Sequence, residues 1–172
     1  MEELNRKSVD EFKHAEKNQV IVVLENIRSA YNVGSVFRTA DAFLIESIYI
    51  TGYTAKPPHK EITKTALGAQ DSVDWKYFES SKSAVEYLRS RHYKVFAVEQ
   101  AMDSVLLQQL HDLSIDKIAF IFGNEVSGVE QETISWCDGC IEIPQFGMKH
   151  SLNISVAAGI VLWEAVNKIN SD

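Results

Sequence analysis

The chain has 172 residues, of which 45% are hydrophobic and 24% charged, and its formal net charge is −7. This length suits one ordinary domain with a sizeable core, and the few scattered prolines and glycines mark no flexible joint between two domains. We therefore predict a single domain over residues 1–172, with residues 1–19 as a short N-terminal extension.

The N-terminal segment mixes both charges and lacks the apolar core of a signal peptide. The longest apolar stretch, Ile154 to Trp163, is shorter than the ~18 residues of a membrane span. Two cysteines form no disulfide framework, which agrees with a reducing compartment. These features favour a cytoplasmic location without membrane association.

The charge is unevenly distributed along the chain. Residues 1–94 hold 14 Lys and Arg against 13 Asp and Glu, whereas residues 95–172 hold 3 against 11. Because phosphate binding uses Lys and Arg, only the first part could supply a phosphate-facing surface, although most of its cations could equally belong to solvated helix faces. The candidate cations are Lys56, Lys60, Lys64, Lys76, Lys82, Arg89, Arg91 and Lys94.

Short β-branched runs alternate with helical segments, which predicts βαβ units in an α/β fold with a mostly parallel sheet flanked by helices. The predicted strands are Val20–Leu24, Ser47–Thr51, Lys94–Val98, Ile118–Phe122 and Gly139–Ile143. Near-continuous apolar runs among them indicate strands buried on both faces.

Apolar spacing predicts helices at Asn32–Phe43, Ser81–Arg91 and Leu152–Ile169. The last of these is apolar almost all the way round, so it has to be covered on several sides. The sheet is one cover, and a second subunit is a candidate for the other.

Two phosphate-binding patterns are missing from the chain. Neither G-x-G-x-x-G after the first strand nor G-x-x-x-x-G-K-[ST] occurs, which argues against dinucleotide and nucleoside-triphosphate chemistry and against the Rossmann-type methyltransferase loop. Three polar clusters instead lie at or beyond strand ends, where open α/β sheets bind ligands.

The first cluster runs from Glu25 to Arg38. Asn32 lies near the predicted helix start, and a role as N-cap would account for it without any function. Arg38 stands among apolar residues, where an arginine is costly unless it meets an anion such as a phosphate or a carboxylate.

The second cluster, Phe122–Gly128, follows a strongly apolar strand. Its two glycines flank Asn124 and Glu125, which predicts a tight loop, although Gly-Asn is also ordinary turn chemistry. The position of Glu125 at the end of a buried strand makes it a candidate site residue.

The third cluster, Ile143–Asn153, links the last strand to the last helix. Ser151 or Asn153 could cap that helix. Pro144 and Gly147 beside polar residues could also form the wall of a binding pocket.

Cys137 and Cys140 form a C-x-x-C motif that is preceded by Trp136, which superficially suggests a redox site. In that chemistry the first cysteine opens a helix, whereas this pair follows a probable helix and enters a strand. A zinc site would need a second pair of ligands, which the chain lacks, and the five histidines show no metal-binding spacing. The G-x-S-x-G elbow of serine hydrolases does not occur either. Two buried or neighbouring thiols are the better interpretation, and we expect no metal.

Taken in order, the three clusters resemble the three motifs of the TrmH (SpoU) family of SPOUT methyltransferases. N-x-G-x-x-x-R-T-A matches Asn32–Ala40, F-G-N-E-x-x-G matches Phe122–Gly128, and I-P-x-x-G-x-x-x-S-L-N-x-S-x-A matches Ile143–Ala157. Each motif is modest alone, but three in register over about residues 20–170 are highly specific.

The resemblance implies a C-terminal deep trefoil knot and transfer of a methyl group from S-adenosylmethionine to a ribose 2′-hydroxyl of RNA by a homodimer that joins through the C-terminal helix. Because no separate RNA-binding domain precedes residue 20, tRNA is favoured over rRNA. A non-catalytic RNA-binding member of the same fold is the alternative. The donor-binding residues implied are Val98, Gly123, Ile143, Pro144, Met148 and Leu152.

The catalytic residues implied are Asn32, Arg38, Glu125, Ser151 and Asn153. A guanidinium is a poor base, so we expect Arg38 to bind the adjacent phosphate and help that phosphate or a water accept the proton. Asn32 would orient Arg38 or the ribose, and Glu125 would hold the arginine. Ser151 with Asn153 would fix the knot loop and the substrate.

Overall fold

The computed structural model describes residues 7–148 and 151–171. Its strands are β1 Asn18–Glu25, β2 Ile45–Thr51, β3 Trp75–Phe78, β4 Lys94–Val98, β5 Val105–Leu106, β6 Ile118–Phe122 and β7 Gly139–Glu142. They form one sheet in the order β3-β2-β1-β6-β4-β7-β5, and every neighbouring pair in this order is parallel. The predicted α/β class with a parallel sheet is confirmed.

Helices cover both faces of the sheet. They are α1 Val9–His14, α2 Ala30–Ala42, α3 Lys60–Ala66, α4 Ala69–Ser72, α5 Ser81–Ser90, α6 Gln131–Trp136 and α7 Ile154–Ile169, with a short 3₁₀ helix at Leu107–Asp112. One face packs against α1 to α4 and α7, and the other packs against α5 and α6. The helix that begins within the first cluster, α2, and the helix that follows the third cluster, α7, therefore lie in one helical layer.

The consecutive apolar residues of the central strands are explained by burial on both faces of the sheet. In β1, Val20, Val22 and Leu24 contribute to the core under α2 and α7, while Ile21 and Val23 contribute to the core under α5. All five are fully buried, so this strand needs apolar residues at consecutive positions rather than alternating ones.

The start of α2 differs from the prediction. Ser29 is the N-cap, and its hydroxyl accepts a hydrogen bond from the Asn32 N–H at 3.3 Å. Asn32 is thus the third residue of the helix, and its interpretation as an N-cap is wrong. The alternative that Asn153 caps the last helix is confirmed, because its Oδ1 accepts from the Ser155 N–H at 2.9 Å.

Helix α7 buries Ala158, Val161, Leu162 and Ala165 but leaves an apolar stripe exposed. The exposed side chains of this stripe are Val156, Ile160 and Trp163. No helix in the described part of the chain is long and apolar enough to cross a membrane.

Candidate active site

The three clusters meet at the carboxyl edge of the sheet through side-chain hydrogen bonds. Asn32 Nδ2 donates to Glu125 Oε1 at 3.1 Å. Asn153 Nδ2 donates to Asn32 Oδ1 at 3.3 Å. One residue from each cluster therefore takes part in a single connected group, which the parallel sheet makes possible because its strands end at the same edge.

Glu125 holds the start of α2. Its carboxylate accepts from the backbone N–H groups of Arg28 at 2.9 Å and Ser29 at 3.1 Å, in addition to the Asn32 amide. Partial burial alone would raise the pKa of Glu125, but these hydrogen bonds outweigh it and hold the pKa below its ordinary value. Glu125 is therefore ionised at neutral pH, beside the positive end of the helix dipole.

The expected contact between Glu125 and Arg38 is wrong. Among residues 7–148 and 151–171, no hydrogen bond or ion pair engages the Arg38 guanidinium, while both Glu125 oxygens bind the 28–32 segment. Arg38 is also exposed. Its apolar sequence neighbours Val36, Phe37 and Ala40 face the core instead, so the expected cost of burying an arginine does not arise.

The tight loop predicted after β6 is confirmed. A Cβ on Gly123 would lie 2.2 Å from the carbonyl carbon of Gly128, so only glycine allows the two backbone segments to approach. Asn124 and Gly128 exchange backbone hydrogen bonds of 3.0 and 2.8 Å. Asn124 Oδ1 also accepts from the N–H groups of Val126 and Ser127. This loop presents Glu125 to the start of α2.

The ionised carboxylate sets the direction of the hydrogen bonds that follow. Because Glu125 can only accept, Asn32 turns its NH₂ toward Glu125 and its oxygen toward Asn153. Asn153 then donates from Nδ2 and keeps Oδ1 for the Ser155 N–H. The start of α7 is thereby fastened to α2.

Arg38 faces a cationic depression of about 390 Å³ between α2, α3 and α7. Its lining residues are Ser35, Arg38, Thr39, Lys64, Thr65, Leu67, Ser155 and Val156. Two cations and four hydroxyls face this space, and no carboxylate belongs to its described lining. The four hydroxyls already donate within the protein, three to backbone carbonyl oxygens and that of Ser155 to Asn153 Oδ1. The two cations are therefore the groups of this lining that suit a phosphate.

Gly34 explains how Lys64 and Arg38 come to line one depression. A Cβ at Gly34 would lie 2.1 Å from Thr65 Oγ1 and 2.4 Å from the Ile62 carbonyl oxygen, so glycine lets α3 pack directly on α2. From the sequence, Lys64 was only one of eight candidate cations. Ser35, Thr39 and Ser155 were not predicted as lining residues, and helical spacing was the one available signal that Ser35 and Thr39 share a helix face with Arg38.

A second pocket of about 480 Å³ lies along the loop that follows β7. Its lining residues are Ile143, Pro144, Gln145, Phe146, Gly147, Met148, Ser151, Leu152 and Ile160. Four of the six predicted donor-binding residues, Ile143, Pro144, Met148 and Leu152, belong to this set. Val98 ends β4 and Gly123 follows β6, and neither is in the described lining.

The chemistry of this loop pocket suits a nucleoside-type cofactor. Its walls are largely apolar, with backbone groups and a few polar side chains such as Gln145 and Ser151 to fix orientation. Ser151 is exposed and lies next to Leu152. Lys149 and His150 fall outside the described residues.

The two cysteines are free thiols. Burial raises the pKa of Cys137 to about 12 and also raises the pKa of Cys140. Cys137 Sγ donates to the Thr133 carbonyl oxygen at 3.3 Å. Protonated thiols are poor nucleophiles and metal ligands, which supports the interpretation of two neighbouring buried or half-buried thiols.

No three His, Cys, Asp or Glu side chains form a group that could hold a metal ion, as far as residues 7–148 and 151–171 show. The expectation that the chain uses no metal stays a prediction.

Known proteins resemble this chain in sequence and in fold. A sequence model of the SpoU rRNA Methylase family matches residues 19–163. The chain is 29% identical over 164 residues to the tRNA (guanosine(18)-2'-O)-methyltransferase of Thermus thermophilus, covering 95% of this chain and 82% of that protein. It is 26% identical over 170 residues to the 23S rRNA (guanosine-2'-O-)-methyltransferase RlmB of Vibrio vulnificus, covering 96% and 66%.

Among solved structures, an AdoMet-bound rRNA methyltransferase from Sinorhizobium meliloti superposes with a TM-score of 0.81 at 27% identity. The superposition covers 90% of this chain and 58% of that one.

Proposed function

The chain belongs to the SpoU rRNA methylase family, and we propose that it transfers the methyl group of S-adenosylmethionine to a ribose 2′-hydroxyl of tRNA. The observation that carries this proposal is the hydrogen-bonded group of Asn32, Glu125 and Asn153, which lies beside the cationic depression. It joins all three motif clusters at one edge of the sheet.

The loop pocket after β7 is assigned to the donor. When bound, S-adenosylmethionine supplies a methyl group on a sulfonium that is already reactive, so alignment with the hydroxyl accounts for much of the acceleration. Ile143, Pro144 and Leu152 would enclose its apolar parts. Ser151, which lines the same pocket, would orient the donor or the ribose.

The cationic depression is assigned to the phosphate next to the target ribose. A guanidinium is a poor base, so Arg38 is not assigned to remove the proton. It would instead bind the phosphate, with Lys64 as a second cation. The 2′-hydroxyl proton would pass to an oxygen of that phosphate or to a water held there, as the ribose oxygen gains the methyl group.

Glu125 and Asn32 are assigned as positioning residues. Their hydrogen bonds connect the loop after β6 to the start of α2, and Asn153 extends the connection to α7. Because Arg38 projects from α2 and Ser155 from α7, this connection sets the spacing of the walls around the phosphate.

The dimer is proposed from the exposed stripe on α7. Val156, Ile160 and Trp163 are spaced four and three residues apart, so they lie on one side of the helix. A stripe of this kind is typical of a helix that packs against another subunit. A second copy of the chain is the proposed partner.

The trefoil knot is proposed from the order of the last strands. β7 lies between β4 and β5, and Val98 and Val105 both pair with Ile141. The connection 99–104 therefore spans the carboxyl end of β7, and the chain leaving β7 has to pass it on one side. If the chain that leaves β7 passes through the loop formed by residues 99–104, the backbone is knotted.

Transfer RNA is proposed over rRNA because the Thermus relative is named for tRNA, and the chain matches it at 29% rather than 26% identity and over 82% rather than 66% of the relative's own length. A cytoplasmic location stays a prediction. The test is transfer of a labelled methyl group to separately purified tRNA and rRNA. We expect label in the tRNA fraction, whereas label confined to rRNA would contradict the proposed substrate.

A further inference from the structure

Tyr53 is an exposed ring that is held at two points. Its backbone N–H donates to Asn26 Oδ1 at 3.3 Å, and its hydroxyl accepts from Asn124 Nδ2 at 2.7 Å. The residue is nevertheless 64% exposed. A tyrosine that served only to pack would bury its ring, whereas here most of the ring area remains free while its position is fixed.

A second exposed tyrosine stands beside it. The Tyr77 hydroxyl donates to the carbonyl oxygen of Gly52, the residue before Tyr53, at 3.1 Å. Tyr77 is 40% exposed, and Lys56 Nζ lies 3.8 Å from the centroid of its ring. The two rings are therefore linked through adjacent backbone positions, and one of them already carries a cation.

The segment around Tyr53 carries more lysines than acids. Residues 47–70 contain three lysines, Lys56, Lys60 and Lys64, and a single acid, Glu61. This segment is locally basic in a chain with a net charge of −7. Lys64 also lines the cationic depression beside Arg38, so the basic segment continues into the candidate active site.

Tyr53 is also connected to the catalytic group. Its partner Asn124 directly precedes Glu125, whose carboxylate binds Asn32. A nucleotide placed on Tyr53 would consequently lie next to the loop that positions the start of α2. Rigid aromatic rings beside cations are the surfaces on which unpaired bases stack, and such stacking tolerates any base.

We propose that Tyr53, with the neighbouring Lys56–Tyr77 pair, stacks an unpaired nucleotide that flanks the target ribose. The substrate of this site is then RNA whose target lies in an unpaired loop rather than within a duplex. This inference rests on the proposed function, because it assigns the nucleotides adjacent to the methylated ribose.

The test measures RNA affinity without the donor, using a fluorescent single-stranded RNA oligonucleotide of mixed sequence and a fully paired duplex of the same length. Three variants separate stacking from other roles. Tyr53→Ala removes the ring, Tyr53→Leu keeps apolar bulk without a planar face, and Tyr53→Phe keeps the ring but loses the hydrogen bond to Asn124.

We expect the wild-type chain to prefer the single strand, Tyr53→Ala and Tyr53→Leu to raise its Kd about 5- to 100-fold, and Tyr53→Phe to stay near wild type. Donor affinity should be the same in all four proteins. Equal weakening by Tyr53→Phe, unchanged affinity in Tyr53→Ala, or no wild-type preference for the single strand would each overturn the inference.

Methyl transfer by the wild-type protein is measured separately. Tyr53-dependent RNA binding without any transfer would contradict the proposed function and leave the stacking surface standing. Transfer that Tyr53→Ala leaves intact, with unchanged RNA affinity, would contradict the stacking surface alone.

Discussion

Asn32 and Glu125 lie 93 positions apart in the chain and share a hydrogen bond of 3.1 Å from the amide nitrogen to the carboxylate. The ionised carboxylate accepts only, so it fixes which way the Asn32 amide points, and that orientation in turn positions Asn153. One charge thus orders side chains from three separate segments.

Replacing the Asn32 side-chain amide should disrupt the hydrogen bonds that join Glu125, Asn32 and Asn153. Asn32→Asp removes the donor to Glu125 and sets two carboxylates against each other, so we expect the free energy of unfolding to fall by about 1–3 kcal/mol and methyl transfer to be lost. Denaturant unfolding and a transfer assay at pH 7 measure both effects.

Gln109→Glu is the matched control for that variant. It adds the same charge at an exposed position. There the side-chain oxygen accepts a hydrogen bond from the Leu106 N–H, which a carboxylate can accept as well. This control should remain close to wild type. An Asn32→Asp protein with wild-type stability and activity would refute the positioning role of the amide.

Acid titration tests the charge on Glu125. Because its pKa is lowered in the folded protein, its contribution to stability is present above the ordinary glutamate value of 4.5 and is lost as the pH falls through the folded value. Glu125→Gln should therefore be less stable than wild type at neutral pH, and the difference should shrink below pH 4.5. Urea unfolding at a series of pH values checks this, and a difference independent of pH would show that the charge contributes nothing.

Gly34→Ala tests the contact that places Lys64 beside Arg38. The added methyl group would collide with Thr65 and the Ile62 carbonyl, so α3 has to move away from α2, at a cost of about 1–3 kcal/mol in stability. RNA affinity should fall as well, because the two cations separate. A Gly34→Ala protein with wild-type stability and RNA affinity would argue against the packing role of Gly34.

Trp163→Glu tests the proposed dimer. Trp163 is 57% exposed on α7, and a charge there would be buried without a partner if a second copy covers the stripe. Sedimentation should find a wild-type dimer and a folded variant monomer. A monomeric wild type, or a variant that still dimerises, would contradict the interface.

Local patterns predicted the buried strands and the three clusters correctly. A run such as Val20–Leu24 is apolar because that strand is covered on both faces. The short edge strands β3 and β5 were missed, because exposed side chains such as Lys76 interrupt the apolar pattern of β3 and because β5 has only two residues. The position of a strand at the edge depends on the whole sheet.

Contacts within the site were harder to predict. Glu125 was expected to hold Arg38, but two of its partners are backbone N–H groups, of Arg28 and Ser29, which leave no mark on the sequence. Lys64 and Arg38 line one depression because α3 approaches α2 closely at Gly34. This contact joins separate helices, so spacing along one helix cannot reveal it.

The most direct test of the account is mass spectrometry of nucleosides from tRNA incubated with the protein and S-adenosylmethionine. Arg38→Ala is compared with Arg89→Ala, which removes an equal charge from α5 on the opposite face of the sheet. We predict a new 2′-O-methylated nucleoside with the wild type and Arg89→Ala, and a yield on the order of 100-fold lower with Arg38→Ala at unchanged donor affinity. An Arg38→Ala protein that methylates at the wild-type rate, or a wild type that binds the donor and yields no 2′-O-methylated nucleoside, would contradict the account.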